Sequence, residues 1–408
     1  MIQDFVLPGI AAIQEEMIGL RHRIHAYPEL GLQEVATSEL VAECLDKWGF
    51  QVTRAVGKTG VVGTLKNGRG PSLGLRADMD ALPIHETTGL PYASRNDGVM
   101  HACGHDGHTA TLLAAARHLA ETRDFSGTLN LIFQPAEEGL GGAQKMMEDG
   151  LFERFPCDAV FALHNVPGYP AGHLGFFNGA FMASADTVTV RVVGRGGHGA
   201  APDEAIDPIV VCASIVTALQ SIVSRNVSPR DLAIISVGSI HAGTASNVIP
   251  SSAQMLLTVR ALAPDVRDLL ERRIHELVHG QAASFGAQAE IDYFRCHPVL
   301  INHPAQTDFA RAVATDWFGA QAVIDDLAPF TASEDFACML EQCPGSYLVI
   351  GNGDGERGCA LHHSGYDFND DCLAVGATYW VKLTERFLPM ADRPDHHHFN
   401  HDIEEKHT

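Results

Sequence analysis

The sequence predicts an α/β protein that combines a mostly parallel sheet with an inserted ferredoxin-like domain. Three observations lead to this prediction. The chain has 408 residues, more than a single core of ordinary size supports. Short apolar strands alternate with amphipathic helices in its first and last parts, as they do in parallel sheets covered on both faces. Between these parts the order of elements becomes β-α-β-β-α-β, the split arrangement of ferredoxin-like domains.

Residues 1–184 carry the first part of the alternating pattern. Apolar runs predict strands at 51–54, 60–65, 73–77, 128–133 and 159–163, and helical periodicity predicts helices at 9–26, 38–48, 109–121 and 141–148. The first helix bears Arg21, His22, Arg23 and His25. These side chains form either a solvated basic face or a support for a site nearby.

The inserted domain is predicted to span residues 185–293. Alternating or apolar runs indicate strands at 187–193, 233–240, 254–262 and 289–294, with helices at 208–224 and 264–284. The α/β pattern resumes over 294–394, with helices at 304–317, 333–339 and 370–387 and a strand at 347–350. Residues 395–408 form a polar tail without apolar periodicity, which predicts disorder.

Composition excludes several classes of function. The chain is 46% hydrophobic and 19% charged, which is typical of a soluble globular protein. A formal net charge of -22 argues against nucleic acid and anionic membranes as partners. The nine cysteines are dispersed and no basic-then-apolar leader precedes the first helix, so we expect free thiols and a cytoplasmic location.

The chemistry of the chain is concentrated in residues 100–108. This stretch reads Met100-His-Ala-Cys-Gly-His-Asp-Gly-His108 and holds three histidines, one cysteine and one aspartate. All of these side chains bind borderline metals such as zinc. An apolar helix pattern follows directly, so the stretch is interpreted as a loop that leads into a helix N-terminus, a position suited to function.

Further candidate ligands follow the predicted strands. Ligands bind beyond the carboxyl ends of strands in such sheets, and Asp78, Glu137, Glu138 and His164 all stand at strand ends. Together with His362, they are expected to lie beside Cys103 and His105. Five of these residues form the candidate ligand set, namely Cys103, His105, Glu138, His164 and His362. Five mixed ligands exceed the four of a closed structural zinc site, so the pattern favours two metals that share a ligand. Of the adjacent pair Glu137 and Glu138, one would coordinate while the other transfers protons.

Several motifs together resemble the N-acyl-amino-acid amidohydrolases. This group includes hippurate hydrolase and the plant indole-acetyl-amino-acid hydrolases, and it is related to aminoacylase and carboxypeptidase G. The resemblance implies a dinuclear-metal catalytic domain with an inserted dimerisation or lid domain. The motifs are Arg21-His-Arg-Ile-His-Ala-Tyr-Pro-Glu-Leu, Leu75-Arg-Ala-Asp-Met-Asp-Ala-Leu-Pro-Ile, the histidine loop, Phe133-Gln-Pro-Ala-Glu-Glu-Gly, Ala162-Leu-His-Asn and Tyr366-Asp-Phe-Asn-Asp.

The resemblance also implies a role for each matching residue. Cys103 would bridge the metals, His105 and His164 would complete one site, and Glu138 and His362 would complete the other. Glu137 would be the general acid/base, and His198, in a glycine-rich loop of the inserted domain, would contact the substrate carbonyl. Asn247 and Arg260 would hold the carboxylate of the substrate, and Asp78 and Asp106 would support the ligands. His363 follows His362 where relatives have Asn-Pro or Ser-Pro, so His363 competes for the ligand position.

The function expected from these motifs is metal-dependent hydrolysis of the amide bond of N-acyl-L-amino acids. The partners would be a small-molecule substrate and a second subunit in a homodimer, and the metals would be Zn, Mn, Co or Ni. A dipeptidase or carboxypeptidase with the same metal site is the first alternative. A metal-storage protein and a metal-free serine hydrolase are the others. A storage protein has no use for a non-ligand carboxylate such as Glu137, and a serine hydrolase would resist chelators.

Overall fold

The structure is a computed structural model that describes residues 2–353 and 360–390. The predicted tail at 395–408 therefore lies outside the described residues. The strands are β1 (Gln51–Val56), β2 (Gly60–Asn67), β3 (Ser72–Asp78), β4 (Gly127–Gln134), β5 (Ala159–Val166), β6 (Leu174–Gly175), β7 (Gly179–Met182), β8 (Ala185–Val193), β9 (Gly197–His198), β10 (Ala233–Ala242), β11 (Val248–Ile249), β12 (Ser252–Ala261), β13 (Gln288–His297), β14 (Leu300–Asn302), β15 (Val323–Ile324) and β16 (Gly345–Gly351).

The helices lie between and around these strands. They are α1 (Pro8–Ala11), α2 (Gln14–Ala26), α3 (Val35–Lys47), α4 (His105–Thr122), α5 (Gly142–Glu148), α6 (Leu151–Arg154), α7 (Pro208–Asn226), α8 (Pro264–Ser284), α9 (Pro304–Phe318), α10 (Ala337–Leu340) and α11 (Asp371–Phe387).

The larger sheet has eight strands in the order β1-β2-β4-β3-β5-β16-β6-β15. Its central strands β4, β3, β5 and β16 are mutually parallel. At one edge, β2 pairs antiparallel with both β1 and β4. Alternate residues of β5 enter two separate cores: Phe161 packs with α4 and α11, and Val160 packs with α5 and α10 on the other face. The predicted α/β class, with a mostly parallel sheet covered on both faces, is confirmed.

The second sheet is antiparallel and has the order β10-β12-β8-β13. Helices α7 and α8 pack on one of its faces, which reproduces the predicted βαββαβ order. Helix α7 has the length and apolar composition of a membrane span. Its buried residues, such as Ile215 and Leu219, pack against the sheet, and they make up a third of the apolar window.

Two predicted helices differ from the structure. The helix expected at 9–26 is divided into α1 and α2, because Ile13 (φ -110°, ψ 1°) leaves helical geometry between them. The helix expected at 333–339 is reduced to Ala337–Leu340. Glu334 and Asp335 instead turn their carboxylates inward, where Glu334 accepts hydrogen bonds from Arg76 and from the Phe336 backbone N–H. Tertiary ion pairing thus replaces the first helical turn.

Candidate metal centre

The candidate ligands meet at the carboxyl edge of the parallel sheet, as the order of motifs predicts. Strand β4 ends three residues before Glu137, and His164 lies two residues before the end of β5. His105 is the first residue of α4, so the helix begins four residues earlier than the sequence pattern indicates. His362 approaches from the segment before α11, and its backbone N–H donates to the Ala102 carbonyl at 2.8 Å.

Gly104 allows this close approach of segments. Its φ of +91° lies in the left-handed region, where glycine is strongly favoured. A Cβ atom at this position would stand 2.3 Å from Asn165 Nδ2 and 2.6 Å from Tyr366 OH. Any larger residue between Cys103 and His105 would therefore push the two candidate ligands away from His164.

Donor atoms of the candidate ligands converge at distances suited to a shared metal. Cys103 Sγ lies 3.5 Å from His164 Nε2, and one donor atom each from Cys103, His105 and Glu138 lie within 4.8 Å of one another. Two donors on one tetrahedral zinc, with bonds of about 2.1 and 2.3 Å, stand about 3.6 Å apart. His362 Nε2 lies 3.1 Å from Glu138 Oε1.

Two of these donor atoms are buried without a hydrogen-bond partner. They are His105 Nε2 and Glu138 Oε1, and the 3.1 Å contact from His362 falls outside hydrogen-bonding geometry. A buried polar atom without a partner lowers the stability of the fold, and buried polar atoms in native proteins are nearly always paired. A divalent cation among these atoms would satisfy them, so the residues fit a metal.

The tautomers of the histidines support the same interpretation. His105 Nδ1 donates to the Asp80 carbonyl oxygen at 2.9 Å, and His164 Nδ1 donates to the Asn165 carbonyl oxygen at 2.7 Å. Each ring therefore has Nδ1 engaged as a donor and Nε2 left for a metal, the arrangement found in metal-bound histidines. Burial lowers the pKa of His164 well below its usual range, which keeps the ring neutral.

Asp80 connects the two halves of the cluster, a role that the sequence pattern did not single out. Its Oδ1 lies 3.2 Å from His105 Nδ1, and its Oδ2 accepts from the Glu138 backbone N–H at 2.9 Å. The signal was present in the pair Asp78-Met-Asp80 at the end of β3. Alternation along a strand does not tell which member of such a pair reaches a ligand.

Asp78 supports the cluster indirectly. Its Oδ1 accepts from His108 Nδ1 at 2.6 Å and its Oδ2 accepts from Arg76 Nη1 at 2.7 Å, so both oxygens are engaged. Burial would raise the pKa of Asp78, but His105, Arg76 and His108 outweigh burial and hold it well below its usual range. His108 Nε2 in turn accepts from the Asn165 backbone N–H at 3.0 Å. With both ring nitrogens occupied, His108 is better suited to positioning than to binding a metal.

Asp106 is anchored by the basic side chains of α2. Its Oδ2 accepts from Arg21 Nε and from His25 Nδ1, each at 2.8 Å. Arg21 also pairs with Asp367 and Asp370, which follow His362 in the chain. One buried guanidinium therefore ties the His105 helix to the His362 segment. The basic residues of the first helix were expected either to form a solvated face or to support a nearby site. The contacts of Arg21 and His25 with Asp106 favour the second interpretation for these two residues.

The His25–Asp106 pair predicts a pH-dependent contribution to stability. Burial opposes protonation of His25, but Asp106 outweighs it and the pKa rises from 6.5 to about 9. Because the folded pKa exceeds the unfolded one, the stabilisation is complete below about pH 6.5 and disappears as the pH rises through about 9. In urea unfolding, His25→Gln should lose more stability relative to wild type at pH 6 than at pH 9.5. The exposed His241→Gln serves as a control, and a pH-independent loss in His25→Gln would contradict the prediction.

Glu137 stands beside the candidate ligands in an acidic, buried setting. The residue is 8% exposed, and one oxygen each from Glu137, Glu334 and Asp335 lie within 4.8 Å of one another. Burial raises the pKa of Glu137 well above its usual range, and the neighbouring carboxylates Glu334 and Glu138 raise it further. Glu334 and Asp335 were not among the predicted site residues, because a local sequence pattern does not show which carboxylates meet across the sheet edge.

The geometry favours His362 over His363 as a ligand. His362 adopts a left-handed backbone (φ +64°) that turns its ring towards Glu138. His363 Nδ1 instead accepts a hydrogen bond from the Gly365 backbone N–H at 3.0 Å, which closes its own turn. Strained backbone at a non-glycine residue is often associated with functional sites.

Within residues 2–353 and 360–390, the candidate residues of the inserted domain make no hydrogen bond or ion pair with the candidate ligands. His198 is exposed in the two-stranded sheet β9–β11, and the next residue, Gly199, donates its backbone N–H to the Asn247 carbonyl at 2.8 Å. Asn247 is exposed as well. Arg260 is half-buried at the end of β12, where its Nη1 donates to Ser333 Oγ at 2.8 Å. Ser333 directly precedes Glu334 and Asp335, the two carboxylates beside Glu137. Of the three candidates, Arg260 is therefore the one connected to the surroundings of Glu137 by a hydrogen bond.

The doubly covered sheet with a Cys/His/Glu cluster at its carboxyl edge is an arrangement typical of metal-dependent α/β enzymes. The chain belongs to Peptidase family M20/M25/M40, whose model matches residues 74–386. It is 46% identical over 386 residues to a hippurate hydrolase of Campylobacter jejuni, covering 94% of this chain and 99% of the relative. It is 38% identical to thermostable carboxypeptidase 1 of Saccharolobus solfataricus, with coverages of 93% and 97%.

A solved structure extends the comparison to the fold. A Bacillus subtilis protein described as a dinuclear metal binding peptidase from the M20 family superposes with a TM-score of 0.81 at 34% identity. The alignment covers 93% of this chain and 99% of that chain. The resemblance stated from the motifs is confirmed, and the chain is an enzyme that hydrolyses linear amides.

Proposed function

We propose that this enzyme hydrolyses the amide bond of N-acyl-L-amino acids, with hippurate-like aryl or alkyl acyl groups, at a dinuclear metal site. The observation that carries the proposal is a cluster of N, O and S donors beside a buried carboxylate, Glu137, that is not needed as a ligand. The name of the Campylobacter relative supports the substrate class. The test is a panel of N-acetyl, N-benzoyl and indole-acetyl amino acids and dipeptides, each assayed with Zn, Mn, Co and Ni.

The proposed ligand assignment is the one that the family resemblance implies, and the convergence of the donor atoms supports it. Cys103 would bridge two metals, with His105 and His164 at one and Glu138 and His362 at the other. Burial raises the pKa of the Cys103 thiol, so a cation beside Sγ is needed to maintain the thiolate. When bound, such metals lower the pKa of water to roughly 7 and polarise a carbonyl oxygen.

The remaining steps are assigned to side chains of this enzyme. Glu137 would take a proton from the attacking water and deliver it to the leaving amine, for which its raised pKa suits it. His198 would donate a hydrogen bond to the carbonyl oxygen as negative charge develops. Arg260, which forms no salt bridge within residues 2–353 and 360–390, would attract the free carboxylate of the substrate, with Asn247 beside it. Asp78 and Asp106 would hold the histidine loop in place.

Replacing Cys103 with serine should lower metal content and activity together. A serine hydroxyl stays protonated where a thiolate binds, so the bridging ligand would be lost. Metal analysis of wild type should give two equivalents per chain, and Cys103→Ser should give fewer. Cys212→Ser, in the core of the inserted domain, is the matched control and should retain both equivalents. One equivalent in a fully active wild type would contradict the dinuclear assignment.

Cleavage of peptides is the second candidate function, favoured by the similarity to a protein named as a carboxypeptidase. The same ligands and Glu137 would serve that reaction, since both substrates present an amide next to a free carboxylate. Higher kcat/KM for dipeptides than for every N-acyl amino acid in the panel would favour this alternative.

We further propose a homodimer that acts in the cytoplasm. The open edge strand β10 and exposed apolar residues of the inserted domain, such as Val210 and Ile240, support association through that domain. The described cysteines are all free thiols, which suits a reducing compartment. Sedimentation analysis of the purified protein tests the dimer.

A further inference from the structure

The register of the antiparallel sheet brings His297 next to Arg260. His297 pairs with Ala185 across β8–β13, and Val259 pairs with Asp186 across β8–β12. Arg260 directly follows Val259, so His297 and Arg260 flank Ala185 from opposite sides at the same end of the sheet.

Both side chains belong to the helix-free face of the sheet. Asp186 points to the helical face, where its carboxylate binds Arg267 of α8. Because neighbouring residues of a strand point to opposite faces, Ala185 and its partners point away from the helices. At this end the helix-free face meets the segment that contains Ser333, which Arg260 contacts and which leads into the carboxylates beside Glu137.

His297 has unused hydrogen-bonding capacity. The residue is 5% exposed, and its Nδ1 is buried without a hydrogen-bond partner. Buried polar atoms without partners are uncommon, and such an atom indicates a missing ligand or water. Burial lowers the pKa of His297, and Arg260 and Arg267 lower it further, so the ring is neutral and carries one N–H donor.

The position of His297 also relates it to the candidate metal cluster. The charged groups that act on it are Arg260, Arg267, Glu138 and Asp186. Arg267 and Asp186 neutralise each other through their ion pair. The remaining charged groups that act on His297 are Arg260 and the candidate ligand Glu138.

We propose that His297 contacts the substrate and, together with Arg260, binds the free carboxylate of the amino-acid part. The inference rests on the proposed function, in which the acyl carbonyl lies at the metals. In an N-acyl amino acid the carboxylate is only two bonds beyond the amide nitrogen, so it falls between the cluster and Arg260. His297 would donate one hydrogen bond to this carboxylate and so favour the acid over its neutral carboxamide.

The test compares His297→Ala and His297→Gln with wild type on a matched pair of compounds. One is the N-acyl amino acid that wild type hydrolyses best, and the other is its C-terminal carboxamide, followed as a substrate or as a competitive inhibitor. Loss of one hydrogen bond to a charged group should raise KM for the acid roughly ten- to hundredfold in His297→Ala. We expect kcat and metal content to change little, and constants for the carboxamide to stay near the wild-type values.

Two variants guard against a purely structural effect. His297→Gln keeps an N–H donor and should recover part of the affinity for the acid. His279→Ala removes an exposed histidine from α8 of the same domain and should leave all constants unchanged. Equal losses on the acid and the carboxamide, or an unchanged KM for the acid, would overturn the inference. Failure of wild type on every N-acyl amino acid would instead contradict the proposed function.

Discussion

Replacing Glu137 with alanine should leave the metal content of the enzyme unchanged and lower kcat by about 10²–10⁴-fold, the usual contribution of general acid–base catalysis. The reason is that Glu137 and Glu138 are adjacent but differently placed. Glu138 Oε1 lies near His362 Nε2 and within the Cys103 and His105 donor cluster. Glu137 instead faces Glu334 and Asp335, where burial and like charge raise its pKa and make its carboxylate a stronger proton acceptor.

The contrast between neighbouring variants makes this prediction specific. Glu138→Ala should lose metal as well as activity, because a ligand is removed. Glu148→Ala replaces an exposed carboxylate on α5 and should retain both properties. Metal analysis and steady-state kinetics on the same preparations separate the three outcomes. Near-normal turnover in Glu137→Ala would show that the acid/base assignment is wrong.

Replacing His198 with alanine should lower turnover by roughly 10²–10³, the effect of losing one donor to a developing oxyanion. His198 Nδ1 accepts a hydrogen bond from the Ala200 backbone N–H at 3.0 Å. In the neutral ring Nε2 therefore carries the proton and is available as a donor. The ring is exposed on β9 of the inserted domain. It acts on a substrate only if this domain closes over its own site or meets the site of a partner subunit.

Subunit mixing distinguishes these two routes. His198→Ala and Glu137→Ala subunits, each nearly inactive alone, are combined and allowed to exchange. In a mixed dimer one site has an intact Glu137 and faces an intact His198 from the other chain. With random exchange half of the dimers are mixed, so activity should return towards about a quarter of wild type. The estimate assumes that one of the two sites in each mixed dimer is functional. It also requires that subunits exchange freely between dimers.

The control for mixing is a combination in which no complementation is possible. His198→Ala subunits mixed with subunits that carry both His198→Ala and Glu137→Ala should stay inactive. If mixed dimers form but activity does not return in the test combination, His198 acts within its own chain or has no catalytic role.

Local patterns in the sequence were sufficient for the fold class. Apolar runs of strand length alternate with helical periodicity, and the change to β-α-β-β-α-β marks the inserted sheet. These signals depend on period and length, which are properties of short segments. The meeting of the candidate ligands was predictable as well, because parallel strands end at the same edge of a sheet. His164 on β5 and Glu138 after β4 reach Cys103 and His105 for this reason.

Other features depended on contacts between distant segments. The sequence contains both Asp78 and Asp80, but only the packed structure shows Asp80 joining His105 to Glu138 while Arg76 and His108 engage Asp78. Glu334 and Asp335 have the signature of a helix start, yet ion pairing with Arg76 directs them to Glu137. His297 lies 37 residues after Arg260 in the chain, and only strand register makes them neighbours. Periodicity reports which face a side chain occupies, whereas packing and pairing decide which side chains from remote segments share that face.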